Sequence, residues 1–267
     1  MILSIITINK NNSEGLKKTI ESVFKQDWND FEFIVIDGSS TDSSIEVIKL
    51  YSDQLSYWVS EPDNGIYNAM NKGILKASGE YCLFLNSGDW LLDNVLKEVF
   101  NYNFHEDIFY GNVILKCDSK EDQINIGCGK SDLTFYDFYN GTIMHQSAFI
   151  KRYLFDIFGL YDESYSIISD WVFFIKAIIF GGATCHYENI NISYFDTNGI
   201  GTVLSQKHLD ERSKVLKSLF PNGVIKDYEN YFALFEDHKY VLKELKRFTH
   251  RFNLLDKYIS LIKKFIV

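Results

Sequence analysis

Three runs of aliphatic and β-branched residues, 2–8, 31–36 and 80–86, each stop abruptly in small, polar or acidic residues, and that pattern constrains the fold more than anything else in the chain. Runs of this length without strict alternation read as strands buried on both faces, as in a parallel sheet. From Ser13, Leu16, Ile20, Val23 and Phe24 recur at helical spacing until the stretch from Asp27 to Asp30 breaks the pattern. Strand, helix, strand is a βαβ unit with a right-handed crossover. The pattern then repeats. Thr41 or Asp42 can cap a helix carrying Ile45 and Ile48, residues 56–59 read as a strand, and residues 65–77 present Ile66, Met70, Ile74 and Ala77 on one helical face. An open α/β sheet gathers ligand chemistry at the C-terminal ends of its strands. Here those ends are Thr7-Ile8-Asn9, Asp37-Gly38-Ser39-Ser40 and Asn86-Ser87-Gly88-Asp89.

The second half is less regular. Strands are expected near residues 108–115, 142–150 and 184–195, and Ser169-Asp170 precedes an apolar helix, 171–180, closed by Gly181-Gly182. Charge is divided unevenly. Residues 238–267 hold eight Lys/Arg against Glu244 and Asp256, a net +6, so the remainder of this −9 chain carries −15. An acidic body argues against nucleic acid as a partner, because neutralising phosphates needs a basic surface. In the tail, Val241, Leu245, Phe248, Phe252, Leu255, Ile259, Ile262 and Ile266 form an apolar stripe, the pattern of an amphipathic helix. Such a stripe either packs on its own domain or a second copy, or lies on an anionic membrane with its Lys/Arg toward the headgroups. The four cysteines are too dispersed for a metal site and read as reduced thiols. With no leader-like segment and no 18-residue apolar stretch, the expected location is the cytosol, with peripheral contact to the inner membrane face through the tail.

The strand ends carry the candidate chemistry. Asp89 would be held at the sheet rim, where one carboxylate can ligate a hard divalent cation that keeps other positions for phosphate and water; a strand-end Asp also serves as a turn or helix cap. Asp37 opens a helix and can accept from a nucleobase N–H or a ribose hydroxyl, or act as a plain cap. Asn68, Asn71 and Lys72 share one helix, with Lys72 a candidate phosphate contact.

The order and wording of these segments closely resemble the family 2 glycosyltransferases of bacterial surface-polysaccharide synthesis. The segments are 4–7 (SIIT), 36–42 (IDGSSTD), 60–73 (SEPDNGIYNAMNKG), 79–81 (GEY) and 84–90 (FLNSGDW), and together they cover the first 90 residues. In the second half 144–147 (MHQS), 158–163 (FGLYDE) and 168–171 (ISDW) resemble the acceptor side of the same family. The resemblance implies an α/β GT-A fold: a Rossmann-like, mostly parallel central sheet flanked by helices, with the amphipathic helix as a C-terminal extension. It divides the chain into a nucleotide-sugar half (1–100), an acceptor half (101–220) and the extension (221–267), the last for membrane association or for packing or dimerisation. It also implies Thr7, Asn9, Asp37, Asn68, Lys72 and Asn86 as the nucleotide-sugar set, Asp89 as ligand of Mg²⁺ or Mn²⁺, and His145 and Gln146 as contacts to acceptor or diphosphate. Asp170 becomes the base of an inverting transfer from a nucleotide diphosphate sugar to a hydroxyl on a glycan or lipid-linked acceptor. Many members carry further acids where this chain has Gly38, Asn86 and Gly88, which leaves Asp89 as the only carboxylate of its run. Two other readings follow from the same residues: a non-catalytic nucleotide-sugar-binding or scaffold protein, consistent with the thinned acidic run, and a sugar nucleotidyltransferase, against which stands the lack of a glycine-rich basic loop after the first strand.

Overall fold

β1 (Leu3–Asn9) and β2 (Phe31–Asp37) pair in parallel, in register from Leu3↔Phe31 to Asn9↔Asp37, with β3 (Tyr57–Ser60) outside β2 and β4 (Tyr81–Phe84) on the other side of β1. The computed structural model describes residues 1–116, 121–197 and 206–249, with the side chains of 235–238 and 240–249 outside the description. Beyond β4 the sheet continues through β8 (Ala148–Lys151), β6 (Ile108–Lys116) and β9 (Cys185–Asp196) to β5 (Trp90–Leu91), while β7 (Gln123–Asn125) pairs with β6. β5, β7 and β8 run against the other six described strands, so the sheet is mixed but mostly parallel. Every residue of β1 is buried, as a strand covered on both faces requires.

Helices cover both faces. α1 (Ser13–Phe24) turns Leu16, Ile20 and Val23 onto the sheet and is capped by the Asn12 side chain, which accepts from Gly15 N–H at 3.1 Å. α2 (Ser44–Tyr51) buries Ile48, and Asp42 links it to α1: its carboxylate accepts from Ser44 N–H at 3.0 Å and from Ser13 N–H, at the start of α1, at 2.9 Å. In α3 (Ile66–Ile74) the inward residue at the start is Tyr67 rather than Ile66, which is exposed. α4 (Val95–Asn101), α5 (Phe135–Asn140) and α6 (Tyr153–Phe158) precede α7 (Ser169–Phe174), which widens into a π-helical stretch over Ile175–Phe180. On one face Phe84, Phe155, Tyr161 and Phe173 form a ring cluster, with Phe155 stacked on Phe173 at 4.4 Å between centroids.

The strand expected over 142–150 is shorter. His145–Ser147 forms a 3₁₀ turn and only Ala148–Lys151 joins the sheet, because the Ser147 hydroxyl bonds to the Gly111 and Met144 carbonyls and holds the turn closed. The chain divides into two compact units, Met1–Glu211 and Arg212–Val267. The second contains α9 (Asn222–Thr249) and most of α8 (Gln206–Leu219). Of the apolar stripe from Val241 to Ile266, Val241, Leu245 and Phe248 lie on α9 with their side chains outside the description, and the rest lies outside the described residues. Among the described residues no helix is long and apolar enough to cross a membrane.

At the N-terminal edge of the sheet Glu32 is buried and accepts from Ser4 Oγ at 2.6 Å and from the N–H groups of Ser78 and Gly79. Burial alone would raise its pKa, but these hydrogen bonds bring it below its usual 4.5. Asp37, at the other end of the same strand, is likewise held below its usual 3.8 by Ser40, Ser60 and Asn9, against the burial penalty. A carboxylate with a lowered folded pKa contributes stability that is present above the unfolded value and lost as pH falls through the folded one. The thermal midpoint should therefore drop as pH falls below about 4.5, and comparing Glu32→Gln with wild type by calorimetry should show the variant losing less between neutral and acid pH. An equal acid loss in both proteins would refute it.

Candidate active site

Three strand ends meet at one rim. The Asn9↔Asp37 and Asp37↔Ser60 register places Asn9, Asp37 and Ser60 in a row. Asp37 is fully buried and its carboxylate accepts from Asn9 Nδ2 (2.7 Å), Ser40 N–H (2.9 Å), Ser40 Oγ (2.6 Å) and Ser60 Oγ (2.6 Å). Asn9 keeps its own Oδ1 buried without a partner, so the open acceptor of this row is the amide oxygen. A second carboxylate lies above the row. A Cβ on Gly38 would stand 2.0 Å from Asp63 Oδ2, so only glycine admits Asp63 to that position. Lys72 fixes the segment that carries Asp63, bonding Glu61 and the Pro62 carbonyl, both at 2.8 Å.

The turn after β4 is stapled to α1. Thr19 Oγ donates to the Asp89 carbonyl at 2.6 Å and accepts from Gly88 N–H at 3.1 Å, and Gly88 sits at φ +104°, which an acidic side chain at this place would adopt only under strain. Thr7 is buried and donates to the Leu85 carbonyl at 2.6 Å, tying β1 to the same turn. Asp89 is itself buried, 4% exposed, and burial pushes its pKa up to about 7 against the opposing charge of His145 and bonds from Asp196 N–H and the Gln146 side chain.

His145, on the 3₁₀ turn, reaches across to α7. Its Nδ1 lies 2.9 Å from Asp170 Oδ2, its Nε2 lies 3.3 Å from the Asn86 amide, and Tyr67 donates its hydroxyl to Asp170 Oδ1 at 2.9 Å. Burial would lower the His145 pKa and raise that of Asp170, but the hydrogen bond and charge between them win in both: His145 moves up and Asp170 down. Both shifts favour an imidazolium–carboxylate pair. An imidazolium donates from both nitrogens, so the Asn86 amide is best read with its oxygen toward Nε2, which also gives a partner to an otherwise orphaned Oδ1.

Asn86, Asp89, His145, Gln146 and Asp170 thus come together, while Asn9 and Asp37 share the neighbouring strand ends. Asn68 is spent elsewhere: it donates to Glu163 at 2.9 Å, and Asn71 binds the same carboxylate and the Tyr161 backbone. These bonds hold α3 against the 161–163 segment. Tyr67 and Asp63 escaped the sequence reading. Tyr67 is outranked in apolarity by its neighbour Ile66, and Asp63 reads as an ordinary turn residue between Pro62 and Gly65.

Three comparisons bear on this geometry. The family model described as Glycosyl transferase family 2 matches residues 4–158. A PGL/p-HBAD biosynthesis glycosyltransferase of Mycobacterium bovis BCG is 27% identical over 219 residues, covering 79% of this chain and 83% of the relative. Among solved structures, residues 1–349 of S. aureus TarS in complex with UDP-GlcNAc superpose with a TM-score of 0.63 at 20% identity, over 77% of this chain and 61% of that one. A mannosyltransferase from Pyrobaculum calidifontis in complex with GDP-Man and Mn²⁺ gives 0.55 at 15% identity, over 78% and 59%. The chain therefore spans about three fifths of these solved structures, and the likeness is one of GT-A fold. With more than half of its length matched by the family model, this chain belongs to glycosyl transferase family 2, and is a transferase of sugars.

Proposed function

We propose that the chain moves a sugar, with inversion, from a nucleotide diphosphate sugar to a hydroxyl of a glycan or lipid-linked acceptor in the synthesis of a cell-surface polysaccharide. The observation that carries this reading is the His145–Asp170 pair set beside Asp89 at the open end of the sheet. Inverting transfer needs one carboxylate to accept the acceptor's proton as its oxygen attacks the anomeric carbon opposite the leaving diphosphate. Asp170 is ionised and each of its oxygens is committed to one partner, leaving lone pairs for that hydroxyl.

The nucleotide lies over Asn9 and Asp37, with the Asn9 oxygen as the open acceptor. Thr7, Asn68 and Lys72 serve the donor half by holding its turns, and His145, Asn86 and Gln146 face the diphosphate side. UDP-GlcNAc and GDP-Man in the two solved neighbours are models for the donor class. A divalent cation, Mg²⁺ or Mn²⁺, fits Asp89: burial outweighs the opposing charge of His145 at this carboxylate, and the oxygen of the adjacent Gln146 amide has no partner. Among the described residues no group of three or more His, Cys, Asp or Glu converges on one point, so such a cation takes its remaining ligands from phosphate and water. When bound, it supplies positive charge to the departing diphosphate. Residues 101–220 bind the acceptor, and the basic tail from 238 onward makes the contact with an anionic membrane or a second copy. Incubating the protein with a panel of nucleotide sugars, Mn²⁺ and lipid-linked acceptors, and reading the anomeric configuration of the product by NMR, tests the reading. Retention at the anomeric carbon, or nucleotide sugar binding with neither transfer nor hydrolysis across the panel, would overturn it.

A further inference from the structure

We propose that Asp196 supplies the second carboxylate of the cation site, from the end of β9, in place of the acid that the 86–89 run lacks. This rests on the cation reading above. β5 pairs with β9 through Trp90↔Tyr194 and Leu91↔Ser193, so the residue at the end of β9 is carried alongside the Gly88–Asp89 turn. Asp196 N–H donates to Asp89 Oδ1 at 3.3 Å, which fixes the two residues to one another. The Asp196 carboxylate is on the same side: its Oδ2 lies 3.9 Å from the position a Cβ would take on Gly88. Gly88 itself admits no acid without strain, at φ +104° and with Asn12 Nδ2 3.3 Å from where a Cβ would stand, and Asp196 brings an acid to the same turn.

A second observation points to a ligand at this place. Gln146 is 1% exposed, its amide nitrogen donates to Asp89, and its Oε1 is buried with no partner. A buried amide oxygen left without a partner beside Asp89 is a costly arrangement, and a hard cation would satisfy it. Two carboxylate oxygens and one amide oxygen are a hard, oxygen-only set, suited to Mg²⁺ or Mn²⁺ completed by phosphate and water. The tethering of β5 to β9 then has a functional result: it joins a residue of the donor turn to one more than a hundred positions later, so that the cation site is finished only when the second half of the sheet is in place.

The test is Mn²⁺ titration of the full chain, metal alone, followed by the electron paramagnetic resonance signal of the free ion, with wild type, Asp89→Asn and Asp196→Asn. Wild type should bind, Asp89→Asn should lose binding, and Asp196→Asn should bind at least about tenfold more weakly, with its metal-free thermal midpoint near that of wild type. Asp196→Ser is the second variant should Asn unsettle the fold. Equal affinity in wild type and in a folded Asp196 variant overturns this inference and leaves the Asp89 cation reading standing. No Mn²⁺ binding by wild type overturns both.

Discussion

Asp170→Asn is expected to lower glycosyl transfer by about 10³-fold, within the span of 10²–10⁴ associated with removing a positioned general base, while leaving nucleotide-sugar binding close to wild type. The substitution is nearly isosteric. Tyr67 can still donate to the remaining carbonyl oxygen, and the ring cluster around Phe173 is untouched. What disappears is an ionised oxygen pair that keeps lone pairs for a hydroxyl. His145→Gln should behave differently. Burial alone would raise the Asp170 pKa, and the His145 hydrogen bond and charge are the main influences that bring it down. Without them Asp170 becomes a stronger base but holds its proton to higher pH, so the acid limb of the kcat/KM profile should move upward while activity at high pH survives in part. Steady-state kinetics across pH on both variants distinguish these outcomes. Full activity in Asp170→Asn, or an unmoved acid limb in His145→Gln, would remove Asp170 from the chemistry.

The strand ends were legible because a buried parallel strand has little choice: it is apolar for its whole length and becomes polar where it emerges, so Asn9, Asp37 and Asp89 announce themselves. The linkage between them was not. That Asp37 is surrounded by Ser40, Ser60 and Asn9 depends on the register of three strands, and register is a property of pairs. His145 falls inside the strand expected near 142–150, and the deciding bond, Ser147 to the Gly111 carbonyl, spans 36 residues. β5 escaped notice for a plainer reason: two residues carry no periodicity. Its consequence is large, since it is what brings Asp196 beside Gly88. Asp63 Oδ2 lies 2.0 Å from where a Cβ on Gly38 would stand and Asp196 Oδ2 lies 3.9 Å from where one on Gly88 would stand, and no spacing rule within a single motif can show such juxtapositions.

Gly79 belongs to the segment 79–81, whose meaning the sequence alone could not supply, and it should be the most sensitive small residue of the donor half. It is buried against β1: a Cβ there would stand 2.7 Å from Leu3 C, Ser4 N and Ser4 Oγ, two of them backbone atoms that cannot swing aside. Its own N–H donates to Ser4 Oγ at 2.9 Å and to Glu32 at 3.1 Å, so displacing residue 79 also loosens the bonds that keep Glu32 ionised in the interior. Gly79→Ala therefore combines overpacking, about 1–3 kcal/mol, with partial loss of partners for a buried carboxylate. Thermal unfolding should show the midpoint lowered by roughly 5–10 °C. The control is Gly223→Ala in α9, where nothing lies within 4 Å of the added methyl and a helical alanine is favoured, so the midpoint should hold or rise slightly. A Gly79→Ala protein as stable as wild type would mean that β1 yields at Leu3 and Ser4, and the clamp joining β1, β2 and the 78–79 turn through Glu32 would then be far softer than its short bonds imply.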